Sequence, residues 1–271
     1  MKFILTIFMT VSLALGYGQK KPPKASLDTL ETIDLPNGGQ SVFGHGEYLR
    51  FRLHYGIIDA GEAEITVNRV GRRFHGNEAY HIVGTGKTLG AFNWFFKVRD
   101  RYETYLDVDG VFPWEFVRDV REGGWTKEEN YRFYQHLSAV KTQKGDVYKI
   151  PPFSQDMISS FYYARTLNFD TAKVGDIYSI PTFVDEEEFE LKIKFLGREN
   201  LKSRTGTYRC MKFVPVVQEG RIFKEEEDMT VWITDDKNRI PVLAKAKVLV
   251  GSIKMELVEY DNLRNPLAKV D

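Results

Sequence analysis

The sequence predicts an all-β protein with one inserted helix, its strands forming a strongly curved antiparallel sheet, a half-barrel or β-spiral. Three observations predict it. From Glu47 onward, polar and apolar side chains alternate with period two, the mark of half-buried antiparallel strands. About a dozen such runs follow one another, too many for one flat sheet, so the sheet must curl. A single segment, 154–167, breaks the alternation with helical spacing.

The chain opens with Met1-Lys2 and the apolar run Phe3 to Leu15, followed by small residues at Gly16 and Gly18. At about 1.5 Å per residue the run spans roughly 20 Å, short of a roughly 30 Å hydrocarbon core, so residues 1–18 read as a signal peptide and not as an anchor. The expected product is exported, periplasmic and soluble. The lone cysteine, Cys210, lies deep in the chain, so neither a lipid-modified N-terminus nor an intrachain disulfide is expected. Cys210 shares a strand face with Tyr208 and reads as a small buried hydrophobe. Residues 19–41, with Lys-Pro-Pro-Lys and Pro-Asn-Gly-Gly, lack periodicity and read as a flexible leader. Residues 42–260 are expected to form one domain, with 261–271 as a C-terminal tail. The 38 basic and 38 acidic side chains balance, which argues against nucleic acid or anionic headgroups as bulk electrostatic partners.

Within the domain, Leu49, Phe51, Leu53 and Tyr55 share one face, as do Ala63, Ile65 and Val67. Later, Phe189, Leu191, Ile193 and Phe195 alternate with charges, and Met229, Val231 and Ile233 alternate with Thr230 and Trp232; Lys245–Val250 and Ser252–Tyr260 follow around Gly251. The exception runs from Gln155 to Leu167, with a cap expected at Ser154 and apolar residues at 157, 158, 161, 162 and 164. So short a helix needs docking, and the concave face of the sheet is the expected place.

The densest chemistry lies between Val98 and Gln135. A loop Val108-Asp109-Gly110, with Gly110 left-handed, sets Asp100 opposite Arg118, Tyr102 opposite Phe116 and Thr104 opposite Trp114. A two-residue turn at Gly123-Gly124 then sets Arg118 opposite Glu129, Phe116 opposite Tyr131 and Trp114 opposite Phe133. The expected result is a charged row, Asp100–Arg118–Glu129, beside the aromatic row Tyr102–Phe116–Tyr131. An arginine fork donates to two carboxylates, so this is either a structural network fixing register or a polar spot orienting a ligand at an apolar cleft. On the second reading, Trp114, Phe133 and the helix residues Met157 and Phe161 join the same site.

Other motifs carry less. Gly84-Thr85-Gly86-Lys87-Thr88 resembles the end of a phosphate loop, but His81 stands where the first glycine belongs, so no nucleotide is expected. Phe92, Trp94, Phe95 and Phe96 form either a core plug or a lid. His45, His54, His75, His81 and His136 are scattered without metal spacing, and Gly-x-Ser-x-Gly is absent, so neither a metal, another cofactor nor a hydrolytic nucleophile is expected. The acidic runs 185–188 and 225–228 read as hairpin tips in solvent.

Several strings together resemble an exported bacterial family known only as a domain of unknown function: Lys97-Val98-Arg99-Asp100-Arg101-Tyr102-Glu103, Val120-Arg121-Glu122-Gly123-Gly124, Ile150-Pro151-Pro152 with Gln155-Asp156, Phe161-Tyr162-Tyr163-Ala164-Arg165, and Trp232-Ile233-Thr234-Asp235-Asp236 with Ile240-Pro241-Val242. The resemblance covers residues 43 to 260 and brings no assigned chemistry. In architecture alone, the curled sheet with its helix is similar to periplasmic lipoprotein carriers and β-spiral envelope proteins. Three functions fit: binding an apolar small molecule, lipid or envelope protein in the concave aromatic face; acid/base catalysis on an envelope polymer by Asp100 and Glu129; or assembly through a sheet edge.

Overall fold

The computed structural model describes residues 20–216, 229–247 and 251–270; the expected signal peptide, the acidic run 225–228 and the end of the Lys245–Val250 run lie outside the described residues. Side-chain alternation resolves into a meander of β1 (Tyr48–Tyr55), β2 (Ile58–Arg69), β3 (Ala79–Thr88), β4 (Val98–Asp107), β5 (Pro113–Glu122), β6 (Trp125–Tyr134), β7 (Ala139–Thr142) and β8 (Val147–Lys149). A second meander follows, of β9 (Ile177–Val184), β10 (Glu187–Ser203), β11 (Gly206–Pro215), β12 (Met229–Thr234), β13 (Pro241–Lys247) and β14 (Ser252–Asp261). Pairing of β1 with β14 fuses them into one antiparallel sheet that runs from β8 to β9, and β15 (Lys269–Val270) adds to β11. Helix α1 (Gly90–Phe95) joins β3 to β4, and α2 (Met157–Thr166) joins the two meanders.

The sheet does not close through a backbone ladder, and side chains bridge the gap. Phe183 of β9 packs on Tyr131 at 5.3 Å, Phe133 at 6.3 Å and Tyr148 at 6.1 Å between ring centroids. Gln155 pairs with β9 through Gln155 N–Pro181 O and Phe183 N–Gln155 O, both 2.8 Å. The segment expected to be a flexible leader is laid against the same gap: Lys20 exchanges hydrogen bonds with Glu188, Ala25 N donates to Val147 O, and Lys149 N donates to Pro23 O. Edge strands expose unpaired donors and acceptors, and the leader satisfies them, a gain that composition does not display. The expected tail is likewise built in, with Arg209 N donating to Ala268 O and Ala268 N to Asp236.

One expected register is corrected. In β4–β5, Asp100 pairs with Val120, Tyr102 with Arg118 and Thr104 with Phe116, a shift of two residues that keeps every side chain on its expected face. The cause is Asp107, buried at 1% exposure, whose carboxylate accepts from Asp109 N, Gly110 N, Trp114 Nε1 and Asn77 Nδ2. It organises a longer connection, with a bulge at Tyr105/Leu106 and with Val111, not Gly110, in the left-handed region at φ 53°. Gly110 has another role: a Cβ there would lie 2.1 Å from the Phe112 ring. The β5–β6 register at Gly123-Gly124 is as expected, pairing Arg118 with Glu129 and Phe116 with Tyr131.

Helix α2 starts two residues later than expected, because Gln155 is occupied with β9. Asp156 is the cap: its Oδ1 accepts from Ile158 N and Ser159 N, while Ser159 Oγ accepts from Asp156 N, all at 2.7 Å. Thr104 Oγ1 donates to Asp156 Oδ2 at 2.6 Å and ties the cap to β4. Ile158 lies over Gly84, where a Cβ would approach it to 3.2 Å, so the glycine of the phosphate-loop look-alike is a docking seat in mid-strand. Tyr162 packs edge-on against Phe43 at 4.6 Å. At the far end, Arg165, 2% exposed, donates from Nη1 and Nη2 to the two oxygens of Glu47 at 2.7 and 2.8 Å and from Nε to Asn238 O.

Breaking that pair from one side strands a buried charge. Glu47→Gln should cost about 3–5 kcal/mol in urea unfolding, and Glu47→Leu with Arg165→Met should cost less than the sum of the two single changes; additive losses would show that the two residues are not coupled.

Candidate functional site

Arg118, 2% exposed, sits where β4, β5 and β6 face the β9–β10 hairpin. Its Nη2 donates to Glu129, as expected, and to Asp185, which takes the place expected for Asp100. Tyr131 OH donates to Glu129 at 2.9 Å, Lys127 Nζ reaches Asp185 at 2.5 Å, and Met157 Sδ lies 3.7 Å from Arg118 Nη1. Against its own burial, Arg118 and Lys127 hold the Asp185 carboxyl below the usual range. Tyr102, Phe116, Tyr131 and Met157 thus do gather around Arg118 and Glu129, and Phe133 joins them through Phe183. Trp114 does not: it belongs to a separate cluster with Phe74, Ala79 and Phe112, its Nε1 bonded to Asp107 at 3.0 Å. The acidic run that read as a tip in solvent does form a hairpin, with Asp185 and Glu186 left-handed at φ 57° and 62°, but its first acid is drawn into this network.

Asp100 is one row away, 6% exposed, accepting from Arg121 N at 3.1 Å beside the Glu122 carboxyl. Burial first, and then Glu122, push its carboxyl up to about 7. The space beside Asp100 and Tyr102 is about 40 Å³, room for a water or two. Cys210 is fully buried and burial pushes its thiol up to about 12, which leaves it an inert packing group.

The larger opening lies on the other side of α2. A cavity of about 210 Å³ separates the helix from β9–β13. Met157, Phe161 and Ala164 form the helix wall; Ile180, Val184, Phe189, Leu191, Phe213, Val231 and Ile233 form the sheet wall. Phe189, Leu191 and Ile193 are half-buried, so the wall reaches solvent. Of the expected residues, only Met157 and Phe161 line it. Sequence reasoning missed the rest because strand alternation marks which side chains face inward, not how far the opposite wall stands. The helix itself gave a signal: Ile158 and Tyr162 are buried on one face while Met157, Phe161 and Ala164 point the other way, so α2 is apolar on two sides.

The aromatic run that read as plug or lid forms α1, with Phe92 against Tyr55 at 6.3 Å and Trp94 and Phe95 exposed at 82% and 68%. Among the described residues, no three His, Cys, Asp or Glu side chains gather at metal-binding spacing, and no helix is long and apolar enough to cross a membrane.

Residues 50–258 match the profile of DUF3108, described as a protein of unknown function. No curated protein matches. Among solved structures, a β-barrel-like protein of the domain of unknown function DUF1849 from Brucella abortus is similar over 81% of this chain and 98% of its own, at 11% identity and a TM-score of 0.52. A DUF1089 family protein from Pseudomonas aeruginosa is similar over 66% and 87%, at 11% identity and 0.35, and a hypothetical protein from Chlamydia trachomatis over 84% and 92%, at 7% and 0.36. The first of these likenesses is one of fold.

A buried acid with a raised pKa favours folding while it keeps its proton. Through the interval from 3.8 to about 7 the folded chain holds the Asp100 proton and the unfolded chain has lost it, so this contribution falls as pH rises across that window and is flat above it. The total is on the order of 4 kcal/mol. Asp100→Asn should remove that slope from the pH dependence of unfolding; an unchanged slope would show that Asp100 ionises freely. Arg118→Met should destabilise the fold by about 3–5 kcal/mol, with part of the loss recovered when Asp185→Asn is added.

Proposed function

We propose that this chain, which belongs to the DUF3108 family of proteins of unknown function, is an exported envelope protein that binds an apolar, chain-shaped molecule between α2 and β9–β13. The observation that carries the reading is the cavity of about 210 Å³, walled almost wholly by aliphatic and aromatic side chains. Both walls present apolar surface to a space that reaches solvent, and taking such surface out of water is worth roughly 25 cal/mol per Å². An apolar guest lying between the two walls gains that burial. The N-terminal charged and apolar run supports export, and the periplasm is the compartment it suits.

The acid/base reading is the weaker one. Asp100 and Glu129 do not share a row, and Glu129 is engaged by Arg118, Lys127 and Tyr131. Assembly through a sheet edge is weakened by the covers over both ends, the leader over β8 and Gln155 over β9.

A neutral hydrophobic dye, N-phenyl-1-naphthylamine, should bind the folded protein saturably with enhanced fluorescence. Ala164→Trp fills the cavity and should abolish that signal while the melting transition stays cooperative. Phe161→Ala widens it, so stability should fall by less than the roughly 3–5 kcal/mol of a tightly packed Phe while dye uptake rises. Dye binding that ignores Ala164→Trp would place the dye elsewhere and remove the reading.

A further inference from the structure

Two cations reach the cavity wall, Arg165 and Arg239. Arg165 is neutralised by Glu47 through two hydrogen bonds. Arg239 is not neutralised in this way. Its Nη1 donates to the carbonyl oxygens of Arg165 and Leu167 at the end of α2, which are uncharged acceptors. Its Nη2 lies 3.7 Å from Asp170 Oδ1, beyond hydrogen-bond reach, on a side chain 83% exposed. Among the described residues, neither Nε nor Nη2 of Arg239 makes a hydrogen bond. The neighbouring acids are committed: Asp236 accepts from Thr234 Oγ1, Asn238 N, Arg239 N and Ala268 N, and Asp235 pairs with Arg198 at 3.4 Å. Burial correspondingly pulls the Arg239 pKa down.

The backbone fixes this side chain in place. Arg239 holds φ 50°, a left-handed conformation uncommon for a non-glycine residue, imposed by the Asp236-centred turn between β12 and β13. Its guanidinium stands 5.3 Å from the Phe169 ring, and with Nη1 pinned on two carbonyls, the Nε–Nη2 edge is left over. That edge is the one that grips an oxyanion with two parallel bonds. From there the apolar wall continues along one face of β12 through Ile233, Val231 and Met229, roughly 13 Å at strand spacing.

We propose that Arg239 anchors a head group at one end of this cavity, and that the ligand is an anionic amphiphile: a single hydrocarbon chain ending in a carboxylate or phosphate. This rests on the reading of the cavity as an apolar binding site and adds its polar end. Solvent-side exposure of Asp170 places Arg239 at the boundary of the cavity, where a charged head group stays hydrated while its chain is buried. Arg165, whose carbonyl Arg239 holds, keeps its own carboxylate and does not compete.

The test is calorimetric titration of the whole protein with dodecanoate, dodecyl phosphate and dodecanol, which share one chain and differ in head group. Both anions should bind at least tenfold more tightly than the alcohol. Arg239→Gln should erase that preference by bringing the affinity for both anions down to that for dodecanol; Arg239→Lys, which keeps the charge but not the fork, should retain part of it. Tighter binding of dodecanoate points to a free fatty acid, tighter binding of dodecyl phosphate to a phospholipid-type head group, and either supports the anchor. Equal binding of anion and alcohol by the unmodified protein, a comparison that needs no variant to fold, overturns the anchor while the apolar cavity stands. So does an anion preference that survives in Arg239→Gln. Failure of all three to bind removes the cavity reading and this inference together.

Discussion

The bidentate pair between Arg165 and Glu47, 2% and 1% exposed, is the constraint on which the interior depends. Two charges out of water are tolerable only when each satisfies the other, and that requirement fixes the distance between the end of α2 and the start of β1. The Asp156 cap, tied by Thr104 to β4, fixes the other end of the helix. A helix of three turns held at both ends cannot slide toward the second meander. The space left on that side is the cavity.

Closure of the bowl follows the same economy. The sheet has two ends that could have paired as backbone edges, but β9 meets β6 and β8 through the rings of Phe183, Tyr131 and Tyr148, with no ladder between β8 and β9. Phe183 fills that contact, and the charges of Arg118, Glu129, Lys127 and Asp185 satisfy one another where the β9–β10 hairpin meets β5 and β6. Backbone groups left over at the two ends find partners in residues 20–33 and in Gln155. The apolar faces of β10 and β12 are left to line the space beside α2.

Charge is distributed accordingly. Where a guanidinium has carboxylates within reach, as at Arg118 and Arg165, the pair is a fastener. Where its hydrogen bonds go to carbonyls and its nearest carboxylate is the solvent-exposed Asp170 at 3.7 Å, as at Arg239, the charge is held in position and only loosely countered. Asp100 is the converse, a carboxyl beside the Glu122 carboxyl and a small, mostly apolar space, its pKa raised by burial and by that neighbour.

The sequence by itself determined the strands, their inward faces and the tight hairpin at Gly123-Gly124, because period-two alternation and a two-residue turn are local properties that each residue carries with its neighbours. It also determined that a helix lies within 155–167 and must be docked, though not that Gln155 leaves it to pair with β9. It left the β4–β5 register two residues out, since Asp107 reorganises the connection through bonds to Asn77 and Trp114 that no local pattern displays. Only the tertiary structure decided that Asp185, 67 residues from Arg118, completes the ion network in place of Asp100. The same holds for the ordering of the leader along the β8 edge and for the space between α2 and β9–β13. Burial alternation shows which side chains turn inward; the gap between two inward faces depends on where separate elements are fastened, and that is set by contacts between residues far apart in the chain.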